Sequence, residues 1–386
     1  MRLLLLSSEF PPGPGGIGNH AHQLAVNLHR LGWEIAVISP QDYASDAQVE
    51  RFNSAQPFRV LRVPSGRNRF LEAFQRLKVA YRLVLEHRPD ILVGTGLSGV
   101  WVTAALGAIH RLSSLAVAHG SEFGVCQGFS RSLNRLGFER MAVVIAVSQF
   151  TRTVVEKAGI RPQRSEVIPN AADHRRFVVL PESACQSFRK KAGLNGGPLL
   201  LTVGHVSERK GQEVVIRALP HILRNLPDTH YAMIGLPTLK ERLTQLAKQL
   251  GVRDRVHFLG AVTNDDMVRW LNCADVFVMT SRTTQDGNCE GYGIAVVEAA
   301  LCGKPAVVSA QSGLIEAIQD GVTGIAVPEG DANSTAEAVI SLLMDRERRR
   351  AMGEAAHTRA LREQTWETCA RRYDVVLRGI ALGERH

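Results

Sequence analysis

The sequence predicts an α/β protein of two doubly wound domains, each a parallel sheet with helices on both faces. Three observations predict it. Short apolar runs alternate with helix-length amphipathic segments along the whole chain. The runs are continuous Val, Ile, Leu and Ala rather than alternating apolar and polar residues, which is the pattern of strands buried on both faces. The length, 386 residues, suits two domains.

In chain order, the first half places strands at 2–7, 34–39, 59–63, 91–93, 115–118, 143–147 and 166–168. Between them, residues 17–31, 70–87, 99–110 and 149–158 carry apolar residues at helical spacing. The second half repeats the scheme, with strands at 199–203, 231–234, 256–258, 276–279, 306–308 and 324–327. Its helices fall at 211–224, 239–250, 265–272, 294–302 and 335–344. Pro169, Pro181, Asn195, Gly196, Gly197 and Pro198 punctuate the stretch between the halves, which is turn and hinge chemistry. The boundary is therefore expected near residue 180, giving an N-terminal domain at 1–180 and a C-terminal one from 181. In doubly wound domains ligands bind beyond the carboxyl ends of the strands, so the expected site is the cleft between the two.

Composition excludes several classes. Hydrophobic residues make up 45% of the chain and charged residues 22%, which rules out disorder, collagen and a coiled coil for the whole. No apolar run approaches the ~20 residues of a membrane helix. The four leucines before Ser7, Ser8 and Glu9 are too short for a signal-peptide apolar region. Six cysteines lie far apart with no C-x-x-C pair, as expected of a cytoplasmic, thiol-containing protein. The net charge is +9, and residues 1–180 hold 21 Lys and Arg against 13 Asp and Glu, whereas the remainder holds 25 against 24. Within 59–88 stand Arg59, Arg62, Arg67, Arg69, Arg76, Lys78, Arg82 and Arg88 against Glu72 and Glu86. Such a field attracts phosphate-rich partners, and with Phe70, Leu71, Phe74, Leu77 and Val84 at helical spacing it predicts that the segment borders the acceptor side and meets anionic lipid or a polyprenyl diphosphate. Nucleic acid is not expected, because the bases lack interleaved stacking aromatics.

Four loops that follow strands carry candidate chemistry. Gly13-Pro14-Gly15-Gly16-Ile17-Gly18 matches G-x-G-x-x-G literally, but Glu9-Phe10-Pro11-Pro12 intervene between the strand and the first glycine. Asp42 would then serve as the ribose acid of a dinucleotide site. The looser reading is that Gly15, Gly16 and Gly18 let backbone N–H groups approach an anion or sugar at a helix N-terminus. Val117-Ala118-His119-Gly120-Ser121-Glu122 sets a histidine at the end of a strand. In Gly204-His205-Val206-Ser207-Glu208-Arg209-Lys210-Gly211, two cations stand where a helix begins, against its dipole, and a ligand with two or three negative charges would account for them. The most informative loop is Glu290-Gly291-Tyr292-Gly293-Ile294-Ala295-Val296-Val297-Glu298. Two glutamates flank glycines at a helix start; Glu298, just over one turn in, can reach a ribose hydroxyl pair, and the Gly293 and Ile294 N–H groups are donors for phosphate.

In this order and spacing the loops resemble those of retaining glycosyltransferases of family 4, whose GT-B architecture faces two Rossmann-like domains across a cleft. The resemblance continues through Ile168-Pro169-Asn170-Ala171-Ala172-Asp173, Gly313-Leu314-Ile315-Glu316 and Asp320-Gly321-Val322-Thr323-Gly324. It implies that a C-terminal helix over 365–379, with Trp366 and Tyr373, crosses back, so that 365–386 complete the first domain and 181–364 form the second. It further implies that Glu298 binds the nucleotide ribose and that Glu290 faces the donor sugar and the leaving phosphates. Lys210 would neutralise the diphosphate, His119 would contact the transferred sugar, and Gly16, beside Gly15, would lie against the donor. His205 stands where the family commonly has arginine, so either Arg209 supplies that charge or the enzyme tolerates a less neutralised leaving group. The alternative is a nucleotide-sugar-binding protein with impaired catalysis.

No D-x-D occurs, and Asp265-Asp266 read as helix-starting residues, so no essential divalent metal or other cofactor is expected beyond the nucleotide-sugar co-substrate. The resemblance favours GDP-mannose as donor, with UDP-sugars next, and a glycan or lipid-linked acceptor, the enzyme being cytoplasmic and peripheral on the membrane. A nucleotide-sugar epimerase or dehydrogenase would need a Tyr-x-x-x-Lys pair, and Leu85 and Gly235 stand four residues beyond Tyr81 and Tyr231.

Overall fold

In a computed structural model the described residues are 1–13, 15–41, 44–64, 69–124, 129–194 and 196–383, with only the backbone described at 64, 69–73, 129 and 130. Pro14, Asp42, Arg67, Cys126 and Asn195 lie outside them. The chain divides into two compact units, Met1–Asn170 with Trp366–His386, and Ala171–Thr365.

The first unit is built on strands β1 (Arg2–Ser7), β2 (Glu34–Gln41), β3 (Arg59–Pro64), β4 (Ile91–Thr95), β5 (Ser114–Ala118), β6 (Val143–Ala146) and β7 (Ser165–Val167). They form one parallel sheet in the order β3-β2-β1-β4-β5-β6-β7. Leu3 pairs with Ile35 on one side and Ile91 on the other, so β1 is central and its leucines are buried on both faces. On one face Leu4, Leu6, Ile38 and Leu92 pack under Leu83 and Val84 of helix Arg69–His87 and Leu106 of helix Leu97–His110. Helix Trp366–Ala381 packs beside helix Gly16–Arg30. It is pinned there by Trp33, 1% exposed, whose indole N–H donates to Asp374 at 2.6 Å while Arg378 bonds the same carboxylate at 2.7 Å.

The second unit holds β8 (Leu199–Val203), β9 (His230–Ile234), β10 (Val256–Gly260), β11 (Val276–Met279), β12 (Ala306–Ser309) and β13 (Gly324–Val327), parallel in the order β10-β9-β8-β11-β12-β13. Its core joins Leu200, Tyr231, Val276 and Val307 of the sheet to Val215, Leu219 and Ile222 of helix Gln212–Asn225 and to Val339 and Leu342 of helix Ala332–Met344. In each sheet the strand order reverses once, beside β1 and beside β8, and the loops leaving the carboxyl ends there are the ones singled out in the sequence.

The structure corrects four expectations. The boundary falls at Asn170/Ala171, not at 180/181. Residues 171–180 belong with the second unit because Asn272 accepts from the Leu180 N–H and donates to the Val178 carbonyl, and Arg176 donates to Asn264. Thr365 also lies in the second unit, where Ala172 bridges to it, so the return begins at Trp366 rather than at 365.

Second, helices Asp46–Ser54, Phe129–Glu139, Glu182–Lys191 and Arg346–Glu363 were not expected from periodicity. Glu182–Lys191 buries no side chain completely, and Arg346–Glu363 buries only Met352, Gly353, Ala356 and Ala360, a face of small residues that hydropathy does not register.

Third, the basic stretch is partly internal. Arg62 donates to the Pro40 carbonyl, Ser39 and Asn53, Arg76 is buried against Ser98, and Arg59 pairs with Glu86. Fourth, Leu77 and Val84 face the core, while among the described side chains of helix Arg69–His87 the exposed apolar residues are Phe74, Tyr81 and Leu85; the side chains of Phe70 and Leu71 lie outside the described ones.

Truncating the pin tests how the C-terminal helix is held. Trp33→Ala removes a buried indole and leaves Asp374 short of a donor, and is expected to cost about 3–5 kcal/mol in a denaturant melt. Leu382→Ala, 69% exposed, is expected to stay within about 0.5 kcal/mol of the parent.

Candidate active site

In the second unit the site begins where β8 ends. The chain turns through Gly204, runs through the short turn Glu208–Lys210 and enters helix Gln212–Asn225 at Gly211, φ 68°. Gly211 presses on the end of β11: a Cβ there would lie 1.8 Å from the Thr280 carbonyl oxygen, and Thr280 Oγ1 donates to the Gly211 carbonyl at 2.9 Å. That close approach delivers Arg209 and Lys210 to the loop between β11 and helix Ile294–Leu301. The Arg282 N–H donates to the Arg209 carbonyl at 2.8 Å and fixes the turn from the other side.

Glu290 receives both cations. Lys210 Nζ lies 2.6 Å from its Oε2, and Arg209 bonds the same oxygen. All three side chains are mostly buried, Glu290 and Lys210 at 12% exposure. The Gly313 N–H donates to the Glu290 carbonyl at 2.9 Å, and a Cβ on Gly313 would lie 1.9 Å from the Gly291 carbonyl oxygen, so glycine lets the loop after β12 seat Glu290. Burial alone would raise the Glu290 carboxyl, but Lys210 and Arg209 beside it hold it down at about 2. Lys210 is lowered by burial, a loss that Glu290 largely opposes.

Gly293, φ 87°, caps helix Ile294–Leu301, so its own N–H and that of Ile294 belong to the first turn, where no intrahelical carbonyl can take them. Glu298 follows in that helix. Burial pushes its carboxyl up to about 7, against the charges of Arg176 and Lys210. The second unit thus brings Arg209, Lys210, Glu290, Gly293, Ile294 and Glu298 into one group: two cations on one carboxylate, first-turn donors, and a second carboxyl poised between charge states. His205 does not join it. It is exposed, lies 2.5 Å from Thr238 Oγ1, and makes no hydrogen bond or ion pair with that group.

In the first unit, Gly15 and Gly16 open helix Gly16–Arg30, and the space where a Cβ of Gly16 would stand is open to 4 Å. Gly18 packs on the backbone of Phe10 and Glu9, which is a packing role rather than a donor's. His119 leaves the end of β5, 8% exposed, with Nε2 2.8 Å from Thr95 Oγ1 and its backbone N–H donating to the Glu122 carboxylate at 3.0 and 3.2 Å. Its ring meets His20 edge-on at 4.9 Å, and Tyr373 lies 3.3 Å from His20 Nε2. Both imidazoles are neutral at pH 7: burial lowers His20, and pulls His119 down to about 3. Burial also pushes the Glu122 carboxyl up to about 7, opposed by backbone N–H donors and reinforced by the charge of Glu9.

Sequence reasoning missed Arg176, Glu122, Thr95 and His20. Arg176 follows the quoted 168–173 motif directly, and Glu122 lies inside the quoted His119 loop. His20 had a signal, a polar residue on the buried stripe of helix Gly16–Arg30. Thr95 had none, since a threonine ending a buried strand is ordinary.

The comparisons with known proteins agree with this geometry. Residues 186–359 match the model of glycosyl transferases group 1 and residues 14–176 that of glycosyltransferase family 4. A GDP-mannose-dependent alpha-(1-6)-phosphatidylinositol monomannoside mannosyltransferase of Mycolicibacterium smegmatis is 32% identical over 389 residues, covering 98% of each chain. A glycogen synthase of Mycobacterium tuberculosis is 26% identical, covering 100% of this chain and 96% of its own. Among solved structures, Anabaena HepE in complex with UDP and glucose superposes with a TM-score of 0.82 at 21% identity, covering 98% of this chain and 100% of its own. Sucrose-phosphate synthase of Thermosynechococcus elongatus does so with a TM-score of 0.84 at 20% identity over the whole of both chains. With the family matched across both units and the fold shared end to end, the chain belongs to glycosyltransferase family 4 and is a glycosyltransferase of the GT-B fold.

Proposed function

We propose that this hexosyltransferase moves mannose from GDP-mannose, with retention of configuration and without a metal ion, to a lipid-linked or glycan acceptor at the cytoplasmic face of the cell membrane. The observation that carries the reading is the buried Arg209–Lys210–Glu290 group beside Glu298. Breaking a sugar–diphosphate bond develops negative charge on the leaving nucleotide. Two cations already seated against a carboxylate can transfer their attraction to the departing phosphate without moving far, which is preorganised stabilisation of the charge that grows in the transition state. The first-turn donors at Gly293 and Ile294 add to it. These groups are the reason for proposing that no divalent cation is needed.

Glu298 accepts from the ribose hydroxyls, as the resemblance implies. His119, neutral and held by Thr95, meets the transferred sugar as a hydrogen-bonding group without adding charge. Retention rests on the family resemblance, with the leaving phosphate assisting attack on the same face. GDP-mannose is favoured because the mycobacterial relative that matches along 98% of both chains is named for that donor. Arg209, bonded to the carboxylate that also holds Lys210, supplies the second cation, which favours an active enzyme over an impaired binder.

Membrane contact is proposed through helix Arg69–His87. It presents Phe74, Tyr81 and Leu85, 66%, 41% and 56% exposed, with Lys78 and Arg82 exposed on the same helix. No helix among the described residues is long and apolar enough to cross a membrane.

Four measurements test the reading. Calorimetric titration with GDP is expected to give the same affinity in magnesium and in EDTA; an affinity that vanishes in EDTA overturns metal independence. Lys210→Ala is expected to lower kcat for GDP-mannose turnover by about 10²–10³-fold, the cost of one transition-state donor, and an unchanged kcat removes Lys210 from the mechanism.

The pH dependence follows from Glu298. Ribose hydroxyls bind its ionised form, and the free carboxyl titrates at about 7, so nucleotide affinity is expected to rise between about pH 6 and 8. Glu298→Gln is expected to remove that part of the rise. For the membrane, flotation with anionic vesicles at low salt is expected to carry the parent, and Phe74→Glu with Leu85→Glu to leave the protein unbound.

A further inference from the structure

Two thiols 88 residues apart in sequence meet in the second unit, between helices Glu182–Lys191 and Asn264–Cys273. Cys273 Sγ lies 3.5 Å from the Cys185 carbonyl oxygen, and the two thiols are close enough to influence each other's charge. The two helices are held at this separation by neighbours one turn away on each: Phe188 meets Trp270 edge-on, ring centroids 5.1 Å apart. The thiols differ in access. Cys273 is 4% exposed, while Cys185 is only partly buried.

They differ in charge as well. Donation from Cys273, then the positive charges of Lys304 and Arg189, pull the Cys185 thiol down to about 7 against the effect of burial. The Cys273 thiol is pushed up, first by its bond to Cys185 and then by burial. A partly exposed sulfur whose ionisation is favoured and a buried thiol beside it are the two parts of a peroxide-reactive pair.

We propose that Cys185 and Cys273 form a reversible disulfide when the protein meets a hydroperoxide. The Cys185 thiolate attacks the peroxide O–O bond, forming an S–O bond and releasing water or an alcohol after protonation of the leaving oxygen. Cys273 then attacks the resulting Cys185 sulfenic acid; the S–S bond forms, the S–O bond breaks, and the hydroxyl leaves as water with the Cys273 proton. Two thiols are oxidised by two electrons and one peroxide is reduced. The bond joins helices that already touch, so the fold does not have to open to make it. In a reducing cytoplasm the bond is transient, as befits a sensor rather than a structural staple. Asn272, next to Cys273, holds the chain at Val178 and Leu180, so the cross-link falls beside the segment that starts the second unit.

The experiment exposes the reduced full-length protein to hydrogen peroxide, blocks remaining thiols with N-ethylmaleimide and maps the peptides by mass spectrometry. In the parent, four of the six cysteines are expected to stay alkylatable, with one cross-linked peptide pair containing Cys185 and Cys273 that dithiothreitol separates. In Cys273→Ser the reaction is expected to stop at a Cys185 sulfenic acid trapped by dimedone, and in Cys185→Ser residue 273 is expected to stay a free thiol. The parent arm needs no substitution and stands even if a variant folds poorly. The proposal is overturned if the parent keeps both thiols alkylatable, if either pairs with a different cysteine such as Cys126, or if Cys273 oxidises as fast without Cys185.

Discussion

The second unit of this enzyme depends on one buried carboxylate. Glu290 lies between Arg209 and Lys210 at the meeting of three loops, those leaving β8, β11 and β12. Moving three charged groups out of water is unfavourable, and the arrangement holds only because each finds a partner at bonding distance. The same pairing decides the loop conformations. With Glu290 uncharged or absent, Arg209 and Lys210 would face each other without a counter-charge, and the turn Glu208–Lys210 would keep only its ties to Thr280 and Arg282. Position and electrostatics are therefore one constraint here: the charged groups gathered at this site are also those that hold its loops together.

The first unit solves a different problem, that of polarity without charge. His20 and His119 meet edge-on in a buried corner closed by Trp366 and Tyr373, where burial keeps both neutral. In the proposed transfer the sugar gains positive character near its reacting carbon, which a neutral ring can meet with a hydrogen bond and an imidazolium would oppose. The corner is made partly by helix Trp366–Ala381, which reaches this unit only after the chain has completed the other. The Trp33–Asp374 bond that fixes this helix thereby also fixes the wall behind His20.

The fold was legible because burial writes itself into composition. The inner strands of the two sheets lie on the apolar runs that a central parallel strand requires, while edge strands such as β7, Ser165-Glu166-Val167, carry polar residues. Illegible elements are those whose burial uses no large apolar side chain. Helix Arg346–Glu363 approaches its neighbour through Gly353, Ala356 and Ala360, and Gly353 packs directly on the Gly303 carbonyl, an approach that depends on missing atoms rather than hydrophobic ones. The charge count misled for a related reason. It registers that Arg62 and Arg76 are basic but not that their guanidinium groups are used internally, on Pro40, Ser39 and Ser98.

His205 shows what a motif does and does not specify. Read as a string, a histidine where relatives commonly carry arginine removes a positive charge from the donor site. Read as a structure, what matters is where the backbone delivers cations, and the turn that ends at Gly211 delivers two, Arg209 and Lys210, to the same carboxylate oxygen. The histidine is turned to Thr238 and has no part in that group. A site of this kind is defined by the charge it gathers around Glu290, and any residue of the turn that reaches the carboxylate can supply it. Charge in such loops is therefore better counted over the whole turn than at a single column of a motif.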